Sequence, residues 1–522
     1  MCIQYGKFKF LPKFKNEQNI PDEIENDSFG SLYLAENVEE KGTKTVYILK
    51  ILKDEKEKEI TKKEFNKEIK ILKKFPKNNH TPHIYESKEY TVLDDTITKK
   101  EEKPYYVIDF FSHSCLHFYK FFTGKPPENR SVKLMFKKIV KGVEFLHNNC
   151  ICHLDLKPEN IVLDKQFDPY IIDFGSAEEF KKGEEKITID EDTPKGTFSY
   201  NSPEIYKKNE EINGVKADIF SLGIILFELV TGDDAFIVAN ANSDFLNQFN
   251  SEKDTTKKRR LVLKKKEELP INNIYDLIKN KSEEDNICPK YWEKLEEIYE
   301  LKGNDIILEL SNNFKDLFIR MVTFDPLKRP SINEILSHPW LQEVNLPENE
   351  KDKIEELDKL EKEFRQVFCD IYNKLTNSNC EENKLAKKYK KEGWKTRAET
   401  LDEKDKIFND PNINIKTILD DSIHANLFIN IFGFFQNFEV DFMNILADKI
   451  KSDLRGKCEA IGGSLSFNAY FDESIIKIEL FKHSKGNLIE FGRIGGEIRD
   501  YYHYFLEIKK IIKNELKLFT DE

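Results

Sequence analysis

Residues 151–175 read ICHLDLKPENIVLDKQFDPYIIDFG, and the fold turns on them. Three short polar groups occur in fixed order: His153-Leu154-Asp155, then Lys157 with Asn160, then Asp173-Phe174-Gly175. Between them lie IVL and YII, rich in β-branched and aromatic side chains, which read as two short strands. A turn over Lys165-Gln166-Phe167-Asp168 makes these strands a hairpin and brings Asp155, Asn160 and Asp173 to one end. Two carboxylates and an amide suit hard oxygen ligation of Mg²⁺, with one carboxylate left to accept a proton. So dense a polar cluster has no packing reason between two apolar strands.

The stretch resembles the eukaryotic protein kinase family, whose catalytic-loop pattern H-R-D-x-x-x-x-N and D-F-G are matched by HLDLKPEN and DFG. The one departure in the loop is Leu154, where that family usually carries Arg. The resemblance covers about the first two-thirds of the chain, with many separate motifs in the expected order. It implies an α+β, two-lobed kinase fold: a β-rich N-lobe over residues 1–110 and an α-rich C-lobe over 111–342. It also implies ATP and Mg²⁺ as cofactors, with Asp155 as catalytic base, Lys157 on the transferring phosphate, and Asn160 and Asp173 as metal ligands.

Composition sets outer bounds. A chain of 522 residues is too long for one core, so two or three domains are expected. Charged residues make up 34% and hydrophobic ones 39%, the balance of a soluble globular protein. A net charge of −12 argues against nucleic acid as a partner. The eight cysteines include no C-x-x-C pair and read as reduced thiols of a cytoplasmic protein. Residue 2 is Cys, which excludes N-myristoylation, and MCIQYGKFKF lacks the apolar core of a signal peptide. No transmembrane run is present in the sequence.

In the N-terminal part, FGSLYLAENV and KTVYILKIL read as strands joined by a turn at Glu39-Glu40-Lys41-Gly42. The resemblance aligns the family's glycine-rich phosphate loop with residues 25–32, where only Gly30 keeps its glycine. Glu25 and Asp27 stand where the first two glycines belong, and their charge and bulk oppose a phosphate, which lowers the expected ATP affinity without altering the fold. By the same likeness Ile24, Gly30, Leu32 and Ile48 line the nucleotide, and Ile48 replaces the usual Ala over adenine. Lys50 pairs with the α- and β-phosphates. The segment EITKKEFNKEIKILKKF has helical periodicity through Ile60, Phe65, Ile69 and Leu72, and places Glu68 to pair with Lys50. PYYVIDFF reads as a buried strand running into a linker, and the resemblance implies that Ile108 is the gatekeeper and Asp109 to Phe111 the hinge that meets adenine. Cys115 stands where basophilic kinases often carry an acid for a substrate arginine, a role that Glu159 remains available to fill.

SVKLMFKKIVKGVEFLHNNC is an amphipathic helix with Leu134, Ile139, Val143 and Leu146 on one stripe. The activation segment SAEEFKKGEEKITIDEDTPKGTFSYNSPE follows the D-F-G, and its Thr197 fits the serine/threonine rather than the tyrosine class. The usual loop arginine receives a phosphate from this segment, and Leu154 cannot. Constitutive activity, or control by partners, is therefore expected in place of a loop-phosphate switch. Asp218 resembles the aspartate that anchors the catalytic loop, and Arg329 the arginine that pairs with Glu204. An insertion spans about 240–303 and carries Lys257-Lys258-Arg259-Arg260. It reads as a solvated helical insert or as a docking patch for an acidic partner, and the sequence does not separate the two.

After Trp340 the character changes. Residues 343–419 read as a helical segment and a polar linker, and 420–522 as a small α+β domain. Its first apolar stretch, SIHANLFINIFGFFQNFEVDFMNILADKIKSDL, reads as helix interrupted at Gly433, followed by strands SLSFNAYF, SIIKIELFKH and NLIEFGRI and a closing helix. IKIELFKHSKGNLIEFGRIGG with YYHYFLEIKKII resembles the kinase-associated 1 domain of AMP-activated-kinase-like enzymes, which implies contact with acidic phospholipid or with the chain's own kinase domain. Arg493, Arg499, Lys509, Lys510 and Lys513 could meet such a surface, or simply form a solvated face. The expected activity is transfer of the ATP γ-phosphoryl to Ser/Thr hydroxyls of protein substrates. The rivals are a scaffold with weak or no transfer and a kinase whose C-terminal domain acts as a phospholipid-binding or autoinhibitory module.

Overall fold

The computed structural model describes residues 4–11, 23–26, 30–40, 45–52, 59–89, 103–111, 113–115, 130–189, 195–197, 199–206, 211–232, 235, 278, 287–301, 306–342, 359–367, 430–433, 439–461, 465–471, 474–483 and 486–496, with 504, 505, 507, 508, 511 and 512. They fall into two units: 1–27 with 31–50 and 370–522, and 28–30 with 51–369.

In the first unit, Gln4–Tyr5 and Phe8–Phe10 form a hairpin, and Phe8–Phe10 runs antiparallel to the far end of the strand Gly30–Asn37. Neither N-terminal strand was evident in the sequence. Glu23–Asn26 pairs with the near end of Gly30–Asn37, and the strand Tyr47–Leu52 lies beside it. Phe8, Leu34, Ala35, Tyr47 and Leu49 are buried, with the Phe8 and Tyr47 rings edge to face at 5.1 Å. The C-terminal part is a five-stranded antiparallel sheet in the order Asn430–Gly433, Gly486–Gly496, Ser474–His483, Ser466–Tyr470, Lys457–Ala460. The helix Glu439–Leu454 buries Phe442, Met443, Leu446 and Ile450, a three-and-four spacing that puts all four on one face. In the closing segment Phe505, Ile508 and Ile512 are buried at helical positions with the same spacing.

One expectation needs correction here. Asn430–Gly433 is a strand paired with residues 487–490, not the start of a helix. Ile431 and Phe432 favour strand, Gly433 disfavours helix, and an available sheet edge decides between them. The rest of that aromatic run, and Arg499, Lys509, Lys510 and Lys513, lie outside the described residues.

The second unit supplies most of the described helices. α1, Glu59–Lys74, buries Phe65, Glu68, Ile69 and Leu72. The antiparallel strands Ile84–Lys88 and Tyr105–Asp109 follow. α2, Arg130–Asn148, buries the expected stripe and leads into the strand Ile151–Cys152. Ile161–Leu163 and Pro169–Ile171 pair as the anticipated hairpin, in the register Ile161 to Ile171 and Leu163 to Pro169. α3, Gly214–Thr231, is largely apolar and almost wholly buried, with Asp218, Ser221 and Glu228 among its buried polar side chains. Asn213 caps its start by accepting from the Lys216 amide, and Gly232, at φ 74°, ends it.

α4, Pro289–Leu301, and α5, Asn312–Met321, pack against α3 through Phe227, Tyr291, Trp292, Phe314 and Phe318. Tyr291, Trp292 and Leu295 are buried, so this end of the expected solvated insertion belongs to the core. Its basic run, Lys257 to Arg260, lies outside the described residues. The helical run 359–367 buries Leu360 and Phe364. Lys138 of α2 lies over the Phe364 ring and pairs with both Glu361 and Asp168 of the hairpin turn.

Candidate active site

The loop between Ile151–Cys152 and the hairpin is held from below. Asp218, fully buried in α3, accepts hydrogen bonds from the amides of His153 (2.9 Å) and Leu154 (2.8 Å) and meets His147 Nε2 at 2.9 Å. A buried carboxylate stays in place only with such partners. Leu154 has φ 62°, an unfavourable conformation for a leucine, and its side chain is buried. It therefore fills core at the position where the resemblance has an arginine. The next residue, Asp155, donates its amide to His153 Nδ1 at 3.3 Å. That leaves the proton on His153 Nε2, which donates to the Ile172 carbonyl at 3.0 Å. The catalytic loop is thus tied to the strand that precedes Asp173.

Both oxygens of Asp155 are engaged. Oδ1 accepts from the Thr197 hydroxyl at 2.7 Å. Oδ2 lies 3.1 Å from Lys157 Nζ and accepts from Asn160 Nδ2 at 3.2 Å. Lys157 Nζ also donates to Thr197 Oγ1 at 2.7 Å, and Asn160 Nδ2 to the Asp155 carbonyl at 2.8 Å. Burial pulls the Lys157 ammonium down, but Asp155, Glu159 and Asp173 together outweigh it and hold its pKa above the ordinary lysine value. The carboxylate is therefore oriented by a cation and an amide while one oxygen receives a hydroxyl proton donor. An incoming alcohol needs that same geometry.

On the hairpin side, the Ile172 amide donates to the Asn160 carbonyl at 2.9 Å, which holds the two metal-ligand candidates close along the backbone. Asp173 has φ 65°. Phe174 is buried against Phe75 and His153, and its amide donates to Glu68 Oε1 at 3.2 Å. Glu68 is thereby joined to the Asp-Phe-Gly turn. The Asn160 amide nitrogen is committed to Asp155, so what the side chain has left to offer a ligand is its carbonyl oxygen. An amide oxygen and a carboxylate fit Mg²⁺, which takes one or two protein oxygens and completes its shell with phosphates and water.

The remaining nucleotide candidates are placed separately. Lys50 ends at a buried position in its strand, and Ile48 and Leu32 are half-buried. Gly30 is buried, Ile24 and Glu25 lie in the strand Glu23–Asn26, and Asp27 lies outside the described residues. Ile108 pairs across to Ile84. The Asp109 side chain accepts from the His83 amide (2.7 Å) and the Tyr85 hydroxyl (2.8 Å), which leaves the backbone as its means of meeting a base. The Phe111 ring lies 4.7 Å from that of Tyr170. Glu204 and Arg329 form the expected buried pair, with two contacts at 2.5 and 2.8 Å.

Two features escaped the sequence. Thr197 marked the substrate class there, yet it bridges Asp155 and Lys157 directly. Gly196 has φ 69°, and a Cβ there would stand 2.2 Å from Asn201 Oδ1 and 2.4 Å from the Leu154 carbonyl. Gly196 itself was the available signal, since a glycine can mark a left-handed or closely approached backbone position.

A loop carrying Asp155, a hairpin carrying Asn160 and Asp173, and a helix-borne Glu68 reaching the same turn define a protein kinase site. Residues 24–341 match the protein kinase domain, more than half of the chain, and the chain belongs to that family. It is 27% identical over 304 residues to the probable serine/threonine-protein kinase glkA of Dictyostelium discoideum, covering 55% of this chain and 56% of that protein. It is 28% identical over 310 residues to the SNF1-related protein kinase catalytic subunit alpha KIN12 of Arabidopsis thaliana, covering 58% of this chain and 48% of that one. To an SNF-related serine/threonine-protein kinase of Rattus norvegicus it is 31% identical over 214 residues, 41% of this chain and 21% of the other. The chain spans about half the length of the first two relatives. Membership of the family brings use of ATP with a divalent metal. Among the described residues, no helix is long and apolar enough to cross a membrane.

Proposed function

We propose that this chain is a serine/threonine protein kinase that moves the γ-phosphoryl of ATP onto Ser or Thr hydroxyls of proteins. The observation that carries the reading is the Asp155 carboxylate, already receiving a hydroxyl at 2.7 Å and held by Asn160 and Lys157. In the proposed reaction the substrate hydroxyl donates its proton to Asp155 as its oxygen bonds to the γ-phosphorus. The bond from that phosphorus to the β,γ-bridging oxygen breaks, and ADP leaves. Lys157 meets the negative charge on the transferring group. Asn160 and Asp173 would hold Mg²⁺, which neutralises phosphate charge when bound. Lys50 is assigned to the α- and β-phosphates, Glu68 to positioning, Ile24, Gly30, Leu32 and Ile48 to the nucleotide's surroundings, and Ile108, Asp109 and Phe111 to the adenine side. With the acidic residues Glu25 and Asp27 in place of two phosphate-loop glycines, nucleotide affinity is expected to be weak for the family.

Cys150, Cys152, Cys288 and Cys458 are free thiols, which supports a reducing compartment, the cytoplasm. The C-terminal sheet and helix are in keeping with the small α+β domain that the kinase-associated 1 resemblance implies, and the role proposed for it is contact with acidic phospholipid or with the chain's own kinase domain. Sedimentation of the full chain with phosphatidylserine vesicles tests that part separately. The kinase reading is tested by incubating the purified chain with Mg-ATP and a mixture of peptides, then analysing phosphoamino acids. Phosphoserine and phosphothreonine without phosphotyrosine is the expected result. Phosphotyrosine as the main product, or no incorporation at any ATP concentration, overturns it.

A further inference from the structure

Leu154 leaves the activation segment without its usual phosphate receiver, yet the end of the segment is tightly held. Lys195, almost fully buried, pairs with Glu178 Oε1 at 3.0 Å. Lys67 of α1 pairs with the same oxygen at 2.6 Å. Lys74, two turns further along α1, pairs with Glu179. Glu178 and Glu179 form a two-residue strand against Ile151–Cys152, so the shared carboxylate sits on the backbone that feeds the catalytic loop. On its other side Lys195 is continuous with Gly196 and Thr197, and its carbonyl accepts from Asn201 Nδ2 at 2.8 Å. Burial pushes up the carboxyl of Glu64, one turn before Glu68, while Lys195 and Lys67 oppose that rise. Five charged groups from three stretches of chain, Lys67 and Lys74 of α1, Glu178 with Glu179, and Lys195, are thus paired between the helix that carries Glu68 and the threonine that touches Asp155.

We infer that Lys195 is a positioning residue whose ion pair with Glu178, shared with Lys67 of α1, holds the activation segment and α1 in working register without a phosphate. The arrangement has the required chemistry. A phosphate would bring anionic charge for basic groups on two elements to grip. Here Glu178 supplies a fixed anion, and the basic groups come from α1 and from the segment itself. Burial makes the pairing consequential, because removing one partner leaves the other charged and desolvated. Burial pulls the Lys67 pKa down and Lys195 lowers it further, as expected for two ammonium groups on one carboxylate.

The inference rests on the kinase reading only for its kinetic arm. The test uses the full chain after phosphatase treatment, as wild type, Lys195→Met, Glu178→Gln, the double variant and Lys67→Met. Hydrogen exchange is read over residues 195–206 and over α1, alongside kcat and the KM for ATP. Wild type should keep both regions protected without phosphate. Lys195→Met should expose 195–206 and lower kcat about ten- to a hundredfold with little change in KM, the scale of a small misplacement of catalytic groups. The double variant should be no slower than the worse single variant, since both remove one interaction. Lys67→Met leaves the Lys195–Glu178 pair and should loosen α1 first, which keeps the inference testable if Lys195→Met does not fold. Unprotected 195–206 in dephosphorylated wild type, unchanged exchange in Lys195→Met, or additive kcat losses overturn it. A wild type that transfers no phosphate to any substrate defeats the kinase reading, while the exchange measurements still decide the ion triad.

Discussion

Asp218 shows how much of the site depends on one side chain that never meets a substrate. It accepts two backbone amides and His147 from a fully buried position. Asp218→Ala strands those donors, at about 1–3 kcal/mol for each unsatisfied group. A fall in the thermal midpoint together with loss of transfer is expected, and unchanged stability would refute the anchoring role. Gly196→Ala is expected to be worse than its size suggests. The methyl group meets the Leu154 carbonyl at 2.4 Å and imposes a left-handed strain. Activity should drop sharply while ATP still binds, as read by calorimetry. At Lys157 the pKa is raised in the fold, so its contribution to stability is full below the ordinary lysine value of 10.5 and is lost as pH rises through the higher folded value. The thermal midpoint should therefore fall as pH rises above 10.5, and fall less in Lys157→Met than in wild type. The polar residues of this site were legible because they fall within 23 residues, His153 to Gly175, in a fixed spacing. Glu178 and Lys195 were not, since nothing local distinguishes them among 178 charged residues, the 83 basic and 95 acidic side chains.

Elements carry the next level of argument. The pair Glu204–Arg329 joins the end of the activation segment to the loop before the helix Ile332–Leu336, and both side chains are buried. Arg329→Ala leaves Glu204 uncompensated, a loss of about 3–5 kcal/mol measurable by denaturant unfolding. A cost near zero would mean that the pair is solvated in solution. Thr188 is exposed on a strand, Lys186–Thr188, that pairs with Glu211–Asn213. With Leu154 buried and Glu178 in the anionic role, replacing Thr188 and Thr193 together by Ala should change activity little, and a collapse would restore the phosphate switch. Helices and hairpins were legible wherever apolar periodicity ran unbroken, as in α1, α2 and α3. The strand Asn430–Gly433 was not, because sheet pairing with residues 487–490 overrode an ambiguous apolar run. Likewise α4 read as part of a polar insertion until Trp292 and Tyr291 were seen inside the aromatic cluster around Phe227.

Across the whole molecule, the two units account for different parts of the sequence reading. The second contains the catalytic loop, the hairpin and α1, and its kinase character followed from motifs. The first contains the N-terminal strands and the C-terminal sheet, whose strand Lys457–Ala460 lies between Gly456 and Gly462-Gly463 but offers only four residues of pattern, too few to read as a strand. Each unit buries a thiol. Cys152 is pushed well up by burial, with Asp218 and Glu178 adding to it, and Cys458 is pushed by burial to about 12. Both should resist iodoacetamide in the native chain at mildly alkaline pH and react in denaturant, as followed by peptide mass spectrometry. Rapid native labelling of either would show that its unit opens readily.

The central claim is that the loop, the hairpin and their shared hydrogen bonds make Asp155 a proton acceptor for phosphoryl transfer. The most direct measurement compares single-turnover transfer by wild type and Asp155→Asn, with nucleotide binding measured on the same preparations. Asparagine keeps the size and the Asn160 contacts but cannot take the proton, so transfer should fall by about 10²–10⁴-fold while binding stays within a few-fold. Equal transfer rates in the two proteins would contradict the claim.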